Sequence, residues 1–260
     1  LAYSKIHKLK NNFLNFDKKT AIPILATRGC PYSCFHYCTY PLQQGRKVRA
    51  RTPENIVAEI EYWCQQIKNP KFIFRDPVFS INRKHTVALC NLLIKKNIKI
   101  DFLVETHLKN LDDDLINFLK KAGLKLVYVG VESKHTDVLA NINRATVTQD
   151  DQYETIKKLE QKKIYVKSMF MIGNPEDNED KIIETIDYAK YLKNTLAQFS
   201  IFTPYPGTPL FKSYEEIVTT NNYEDYNQYN LVFKHKYLNS KKVTKLKNLA
   251  YSRFYLRITS

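Results

Sequence analysis

Apolar, β-branched runs alternate along this chain with stretches whose apolar residues step by three and four. The runs predict strands at Ile22–Thr27, Lys71–Arg75, Ile100–Thr106, Leu124–Val131, Ile164–Ile172 and Gln198–Thr203. Helical spacing fills roughly 53–68, 82–96, 112–122, 149–162 and 178–193, as in Leu111, Leu115, Ile116, Leu119 and in Ile182, Ile183, Ile186, Ala189, Leu192. Start signals agree: Thr52-Pro53 opens the first helix, and Glu176, Asp177, Glu179 and Asp180 crowd the N-terminal end of the fifth. Strands alternating with helices imply right-handed crossovers and a parallel sheet buried on both faces. The count of repeats predicts an α/β fold built as a partial, TIM-like (β/α)6 barrel, with a doubly wound open sheet as the alternative. In either fold, residues just past the C-terminal ends of the strands share one mouth, where chemistry is placed.

The pattern changes after Pro209. Residues 214–238 are rich in Tyr, Asn and charge without a period. Residues 239–258 read as a basic helix carrying Val243, Leu246, Leu249, Tyr251 and Leu256. The expected organisation is a connecting segment over 1–20, a core over 21–212 and an irregular, then helical, appendage over 213–260. No apolar run approaches the ~20 residues of a membrane helix. Leu1 is followed by no signal core, so the chain reads as a cytoplasmic piece of a longer product.

Charge alters the picture less than its size suggests. The formal net charge is +15, yet it comes from 32 Lys against only 9 Arg, alongside 21 Asn. Phosphate and base readers rely on the bidentate guanidinium, so the surplus is read as compositional drift, and nucleic acid is not expected as a partner. The run Lys241–Lys247 reads as a solvated helix face.

Cysteine alters it more. Three of the five, Cys30, Cys34 and Cys38, fall within nine residues, an arrangement unlike a disulfide framework. Cys64, beside Ile56, Val57, Ile60 and Ile67, and Cys90, beside Val87 and Ile94, read as small core residues. The trio sits in Arg28-Gly29-Cys30-Pro31-Tyr32-Ser33-Cys34-Phe35-His36-Tyr37-Cys38, directly after the first strand. Structural zinc wants four closed ligands; a second Cys pair is missing, and His36 is the one nearby candidate for the fourth. Three thiolates on a four-iron cluster leave one iron open to a small molecule.

This loop resembles that of the radical S-adenosylmethionine (SAM) superfamily, whose pattern is C-x3-C-x-aromatic-C. Further similarities recur in order at strand ends: Phe74-Arg75-Asp76-Pro77, Val104-Glu105-Thr106, Gly130-Val131-Glu132-Ser133, Gly173-Asn174-Pro175-Glu176 and Phe202-Thr203-Pro204-Tyr205-Pro206-Gly207-Thr208-Pro209-Leu210. They cover about residues 20–215 and are most similar to the cobalamin-associated branch. One departure stands out. Three residues, Phe35, His36 and Tyr37, separate the last two cysteines, where the family has two.

The resemblance implies that Cys30, Cys34 and Cys38 hold a 4Fe–4S cluster. SAM would chelate the open iron, and one-electron cleavage would yield a 5′-deoxyadenosyl radical. It implies Tyr37 as a flank for adenine, Glu105 and Glu132-Ser133 as partners of the ribose or amino group, and Arg144 as partner of the SAM carboxylate. Asp76 would approach the methionyl ammonium, Gly173 would allow close backbone approach, and Tyr205 would edge adenine. Each has a plainer reading: packing for Tyr37, a salt bridge for Glu105, a helix cap for Ser133, a turn for Asp76. The implied activity is radical chemistry, methyl transfer or ring formation, on a small-molecule, lipid or natural-product type of substrate. A flavodoxin or ferredoxin would supply electrons. Any cobalamin would be held outside this chain, which has no D-x-H-x-x-G. The alternatives are a tRNA methylthiotransferase and a non-enzymatic zinc or scaffold protein.

Overall fold

The structure is a computed structural model and describes residues 16, 18–32, 34 and 37–256. The connecting segment expected over 1–20 lies mostly outside these residues.

Six parallel strands form one sheet in the order β1 (Ala21–Ile24), β4 (Lys71–Phe74), β5 (Asp101–Thr106), β6 (Leu124–Glu132), β7 (Tyr165–Ile172), β8 (Leu196–Ile201). Ala21 pairs with Lys71, Lys71 with Asp101, and Lys167 with Leu196. The expected first strand is divided. β1 stops at Ile24, while β2 (Thr27–Arg28) pairs antiparallel with β3 (Arg49–Ala50). The break falls where the Ala26 and Thr27 amides turn to the Asp76 carboxylate instead of a strand partner.

The chain divides into two compact units. The first takes the chain up to Arg28 and residues 49–128 and 158–165. Its helices α2 (Pro53–Gln66), α3 (Arg83–Lys95) and α4 (Asp113–Ala122) pack in series, burying Ile56, Val57 and Ile60, then Leu89, Cys90 and Leu93, then Leu115, Ile116 and Leu119. Side-chain caps start each one: Thr52 accepts from Asn55 N at 3.2 Å, Asn82 from His85 N at 3.1 Å and Asp112 from Leu115 N at 2.8 Å. Cys64 departs from expectation and is exposed. Cys64 continues the line of Val57 and Ile60 one turn on, but the buried residues of α2, Ile56, Val57 and Ile60, all lie in its first half, and none of residues 61–66 is buried.

The second unit holds residues 29–48, 129–157 and 166–260. It includes α1 (Tyr40–Gln44), α5 (Thr136–Asn141), most of α6 (Gln149–Gln161), α7 (Glu179–Tyr191), α8 (Pro209–Lys212) and α9 (Ser240–Leu256). Helix α9 lies on α7 and β8. Its buried line is Val243, Leu246, Lys247, Ala250 and Phe254, whereas Leu256 is exposed. Lys247 thus leaves the solvated face expected for it; its ammonium sits 4.7 Å from the Tyr229 ring centroid and donates to Tyr229 O.

The aperiodic stretch after Pro209 is structured by aromatic packing. Ile142, Phe202, Leu210, Tyr214 and Phe233 form a buried cluster, with Tyr214 and Phe233 edge to face at 5.0 Å.

Candidate functional site

The cysteine loop closes on itself within the second unit. Gly29 has φ +93°, and a Cβ there would strike the Lys47 carbonyl, so only glycine fits. Cys30 N donates to Gly45 O at 3.1 Å, Arg46 donates to Pro31 O at 3.0 Å, and Cys38 N donates to Cys34 O at 3.0 Å. Cys30 and Cys34 are buried and Cys38 half-buried. The Cys38 thiol donates toward Cys34, and with the Arg144 guanidinium beside it this lowers the Cys34 thiol, against its burial, to about 6. The same hydrogen bond and burial push Cys38 up; burial raises Cys30. Phe35 and His36, one of which is the extra residue, lie outside the described residues.

Against this loop stands a charged pair from the end of β6 and the end of α5. Arg144 Nη2 donates to Gly130 O at 2.9 Å and lies 3.5 Å from Glu132 Oε1. Burial raises the Glu132 carboxyl, opposed by Arg144. Burial also works against the Arg144 charge, but Glu132, Tyr37 and Cys34 around it hold its pKa above the ordinary arginine value. Local backbone geometry aims both residues. Glu132 has φ +66° at the centre of a γ-turn closed by Ser133 N to Val131 O at 2.9 Å, a costly conformation for a residue with a Cβ. Arg144 follows Asn143, left-handed at φ +52°; Arg144 N bonds Leu139 O and Asn143 N bonds Ala140 O, a Schellman ending. Gly130 permits the approach, because a Cβ there would meet both the guanidinium and the carboxylate.

Cys30, Cys34, Cys38, Tyr37, Glu132 and Arg144 therefore come together. Tyr37 also packs against the aromatic cluster, and burial raises its hydroxyl well above the usual range. The other expected residues have local partners of their own. Ser133 is not the helix cap: the turn at Glu132 delays α5, whose N-cap is His135, and Ser133 Oγ accepts from His135 N at 3.2 Å beside Thr185 Oγ1. Gly173, at φ +72°, precedes a turn in which Asn174 N donates to Asp177 at 2.9 Å. Tyr205 O accepts from Thr208, which caps α8.

In the first unit, Asp76 is fully buried and accepts from Ala26 N, Thr27 N and the Thr27 hydroxyl. Glu105 is half-buried near the end of β5, its carbonyl accepting from Phe79 N at 2.9 Å. Gly29, Arg46 and Asn143 escaped sequence reasoning. The glycine and the asparagine carry a signal, both being residue types that enter the left-handed region.

The donor set suits a sulfur-bound cluster. Three cysteine sulfurs share one loop, one is held toward the thiolate, and a guanidinium offsets their charge. Among the described residues, no three His, Cys, Asp or Glu side chains converge as ligands of a single ion.

The family model described as the radical SAM superfamily matches residues 24–189. This chain belongs to the radical SAM superfamily. Within it, the chain is 27% identical over 236 residues to an uncharacterized methyltransferase of Pyrococcus horikoshii, covering 90% of this chain and 51% of that protein. It is 29% identical over 243 residues to the anaerobic magnesium-protoporphyrin IX monomethyl ester cyclase of Cereibacter sphaeroides, covering 92% and 39%. The radical SAM methyltransferase TsrM of Kitasatospora setae, solved with cobalamin and a 4Fe–4S cluster bound, superposes with a TM-score of 0.69 at 20% identity, over 81% of this chain and 40% of that one. That likeness shows a shared fold, in agreement with the partial (β/α)6 barrel expected from the sequence. The chain spans about half the length of the Pyrococcus relative and less of the cyclase. No helix among the described residues is long and apolar enough to cross a membrane.

Proposed function

We propose that this chain is the radical SAM core of an enzyme that carries out methyl transfer or ring formation on a small organic substrate. The observation that carries the reading is the convergence of Arg144, Glu132 and Tyr37 on Cys34 of the cysteine loop. Cys30, Cys34 and Cys38 would hold three irons of a 4Fe–4S cluster and leave the fourth for the amino and carboxylate groups of SAM. When bound and reduced, that cluster supplies the electron that cleaves the sulfonium C–S bond.

The remaining roles belong to the protein. Glu132 and the Gly130 carbonyl fix the Arg144 guanidinium in place and leave it donors for the SAM carboxylate. The left-handed turn presents Glu132 to the ribose hydroxyls, with Ser133 beside it. Tyr37, braced by the aromatic cluster, would flank adenine from one side, and the Tyr205 loop would edge it. Gly173 would admit close backbone approach, and Glu105 would accept from the amino group. Asp76 would act through the Ala26-Thr27 backbone that leads into the loop, since its oxygens already accept from these residues. A cobalamin, if the reaction uses one, would be held outside these residues, and a flavodoxin or ferredoxin would deliver the electron. Methyltransferase and cyclase names among the relatives support the reaction class.

The test is anaerobic reconstitution with iron and sulfide, then electron paramagnetic resonance of the reduced protein with and without SAM. A 4Fe–4S signal that shifts on adding SAM, with 5′-deoxyadenosine formed, is expected. Loss of the cluster is expected in Cys30→Ala, Cys34→Ala and Cys38→Ala. A protein that takes up one zinc and no iron would overturn the reading.

A further inference from the structure

The first unit carries a pocket of about 560 Å³, within the range of small-molecule sites. It lies along residues 23–27, where β1 passes into β2. Pro23, Ile24, Leu25 and Ala26 give it an apolar side; Arg28, Arg49, Arg51 and Arg75 give it a cationic one. All of its lining residues belong to one unit.

The composition makes this lining unusual. Lysine outnumbers arginine more than threefold in the chain, yet four of the nine arginines line this pocket and no lysine does. A guanidinium differs from an ammonium in its planar fork, which matches a carboxylate or a phosphate with two parallel hydrogen bonds.

The single acid in the lining is already committed. Glu59 pairs with Arg51 Nη1 at 2.6 Å, and Arg51 is further held by Leu25 O at 3.0 Å and by the Asn55 side chain. Arg51 thus forms a fixed wall, while Arg28 and Arg75 are exposed and bring positive charge that no acid in the lining offsets.

We propose that this pocket binds a small amphiphilic anion, with the apolar body against Pro23–Ala26 and a carboxylate or phosphate group forked by Arg28 and Arg75. The proposal does not rest on the cluster and SAM chemistry, because neither Arg28 nor Arg75 is among the side chains assigned to them.

The experiment uses the full chain and two fluorescent probes. These are 8-anilinonaphthalene-1-sulfonate, with an apolar body and an oxyanion, and its uncharged counterpart N-phenyl-1-naphthylamine. In the double variant Arg28→Gln/Arg75→Gln, the sulfonate is expected to bind at least tenfold more weakly and the neutral probe within twofold of the starting protein. The control Lys84→Glu, an exposed charge reversal outside the pocket lining, is expected to leave both unchanged. Displacement of the sulfonate by pyrophosphate or by citrate assigns the group to the phosphate or the carboxylate class.

Unchanged sulfonate binding in the double variant would overturn the proposal. So would an equal loss for the neutral probe, an equal loss in the Lys84 control, or failure of both competitors. Should the double variant not fold, each single Arg→Gln variant is expected to weaken the sulfonate at least threefold at an unchanged melting temperature. Binding within twofold in both singles would overturn the proposal equally.

Discussion

Gly130 illustrates how one hydrogen atom decides a charged site. Its missing Cβ is the space in which the Arg144 guanidinium and the Glu132 carboxylate meet. Gly130→Ala is therefore expected to push the pair apart and destabilise the protein by about 1–3 kcal/mol, as overpacking does, measured by urea unfolding. It should also abolish the SAM-dependent change in the cluster signal while the cluster itself still assembles. Arg144→Lys keeps the charge and loses the fork, so it is expected to weaken SAM binding with little change in stability.

The string Gly130-Val131-Glu132-Ser133 was legible in the sequence; the γ-turn that aims Glu132 was not, since a positive φ at a glutamate contradicts its local preference and persists only through its surroundings. Asp177 offers a pH test. Burial raises its carboxyl, partly offset by hydrogen bonds from Asn174, so the fold favours the protonated form. Its contribution is fully present below the ordinary carboxyl pKa and is lost as pH rises through the raised value. Asp177→Asn is expected to flatten that decline in melting temperature between pH 4 and 7; an unchanged slope would refute the assignment.

At the scale of elements, α9 shows why a terminal helix is more than an appendage. β8 is an edge strand of the sheet, with backbone groups that face no further strand. Tyr251 and Tyr255, one turn apart on α9, place their hydroxyls on alternate residues of that edge. Tyr251 bonds Phe199 N and O at 3.2 and 3.4 Å, and Tyr255 bonds Ala197 N and O at 3.2 and 2.9 Å. Two phenols thus stand in for a missing strand. Tyr251→Phe/Tyr255→Phe is expected to cost about 1–3 kcal/mol in total and to increase aggregation, read by thermal melting and light scattering. The sequence showed this helix and placed Tyr251 on its stripe, but no periodicity distinguishes a tyrosine that packs from one that donates to a strand. Cys64 makes the converse point: it fits the stripe on paper, and the structure buries the first half of that stripe, Ile56 to Ile60, while the turn that holds Cys64 stays at the surface.

Across the whole chain, the aperiodic stretch after Pro209 supplies Tyr214 and Phe233 to the cluster against which Tyr37 rests. Phe233→Ala is expected to cost about 3–5 kcal/mol and, by loosening Tyr37, to weaken SAM binding in variants that remain folded at low temperature. Titrating SAM against the cluster signal checks it.

The sequence by itself determined the order and type of the strands and helices that build the sheet, because hydrophobic period and capping are local properties that survive without knowledge of neighbours. It also determined the cysteine loop, whose ligands lie within nine residues of one another. Only the tertiary structure decided that Arg144 turns back onto Glu132 and Cys34, that Tyr251 and Tyr255 cover an edge, and that four scattered arginines share one pocket. Those pairings join residues distant in sequence, or need left-handed backbone that local preference opposes, so no local pattern encodes them.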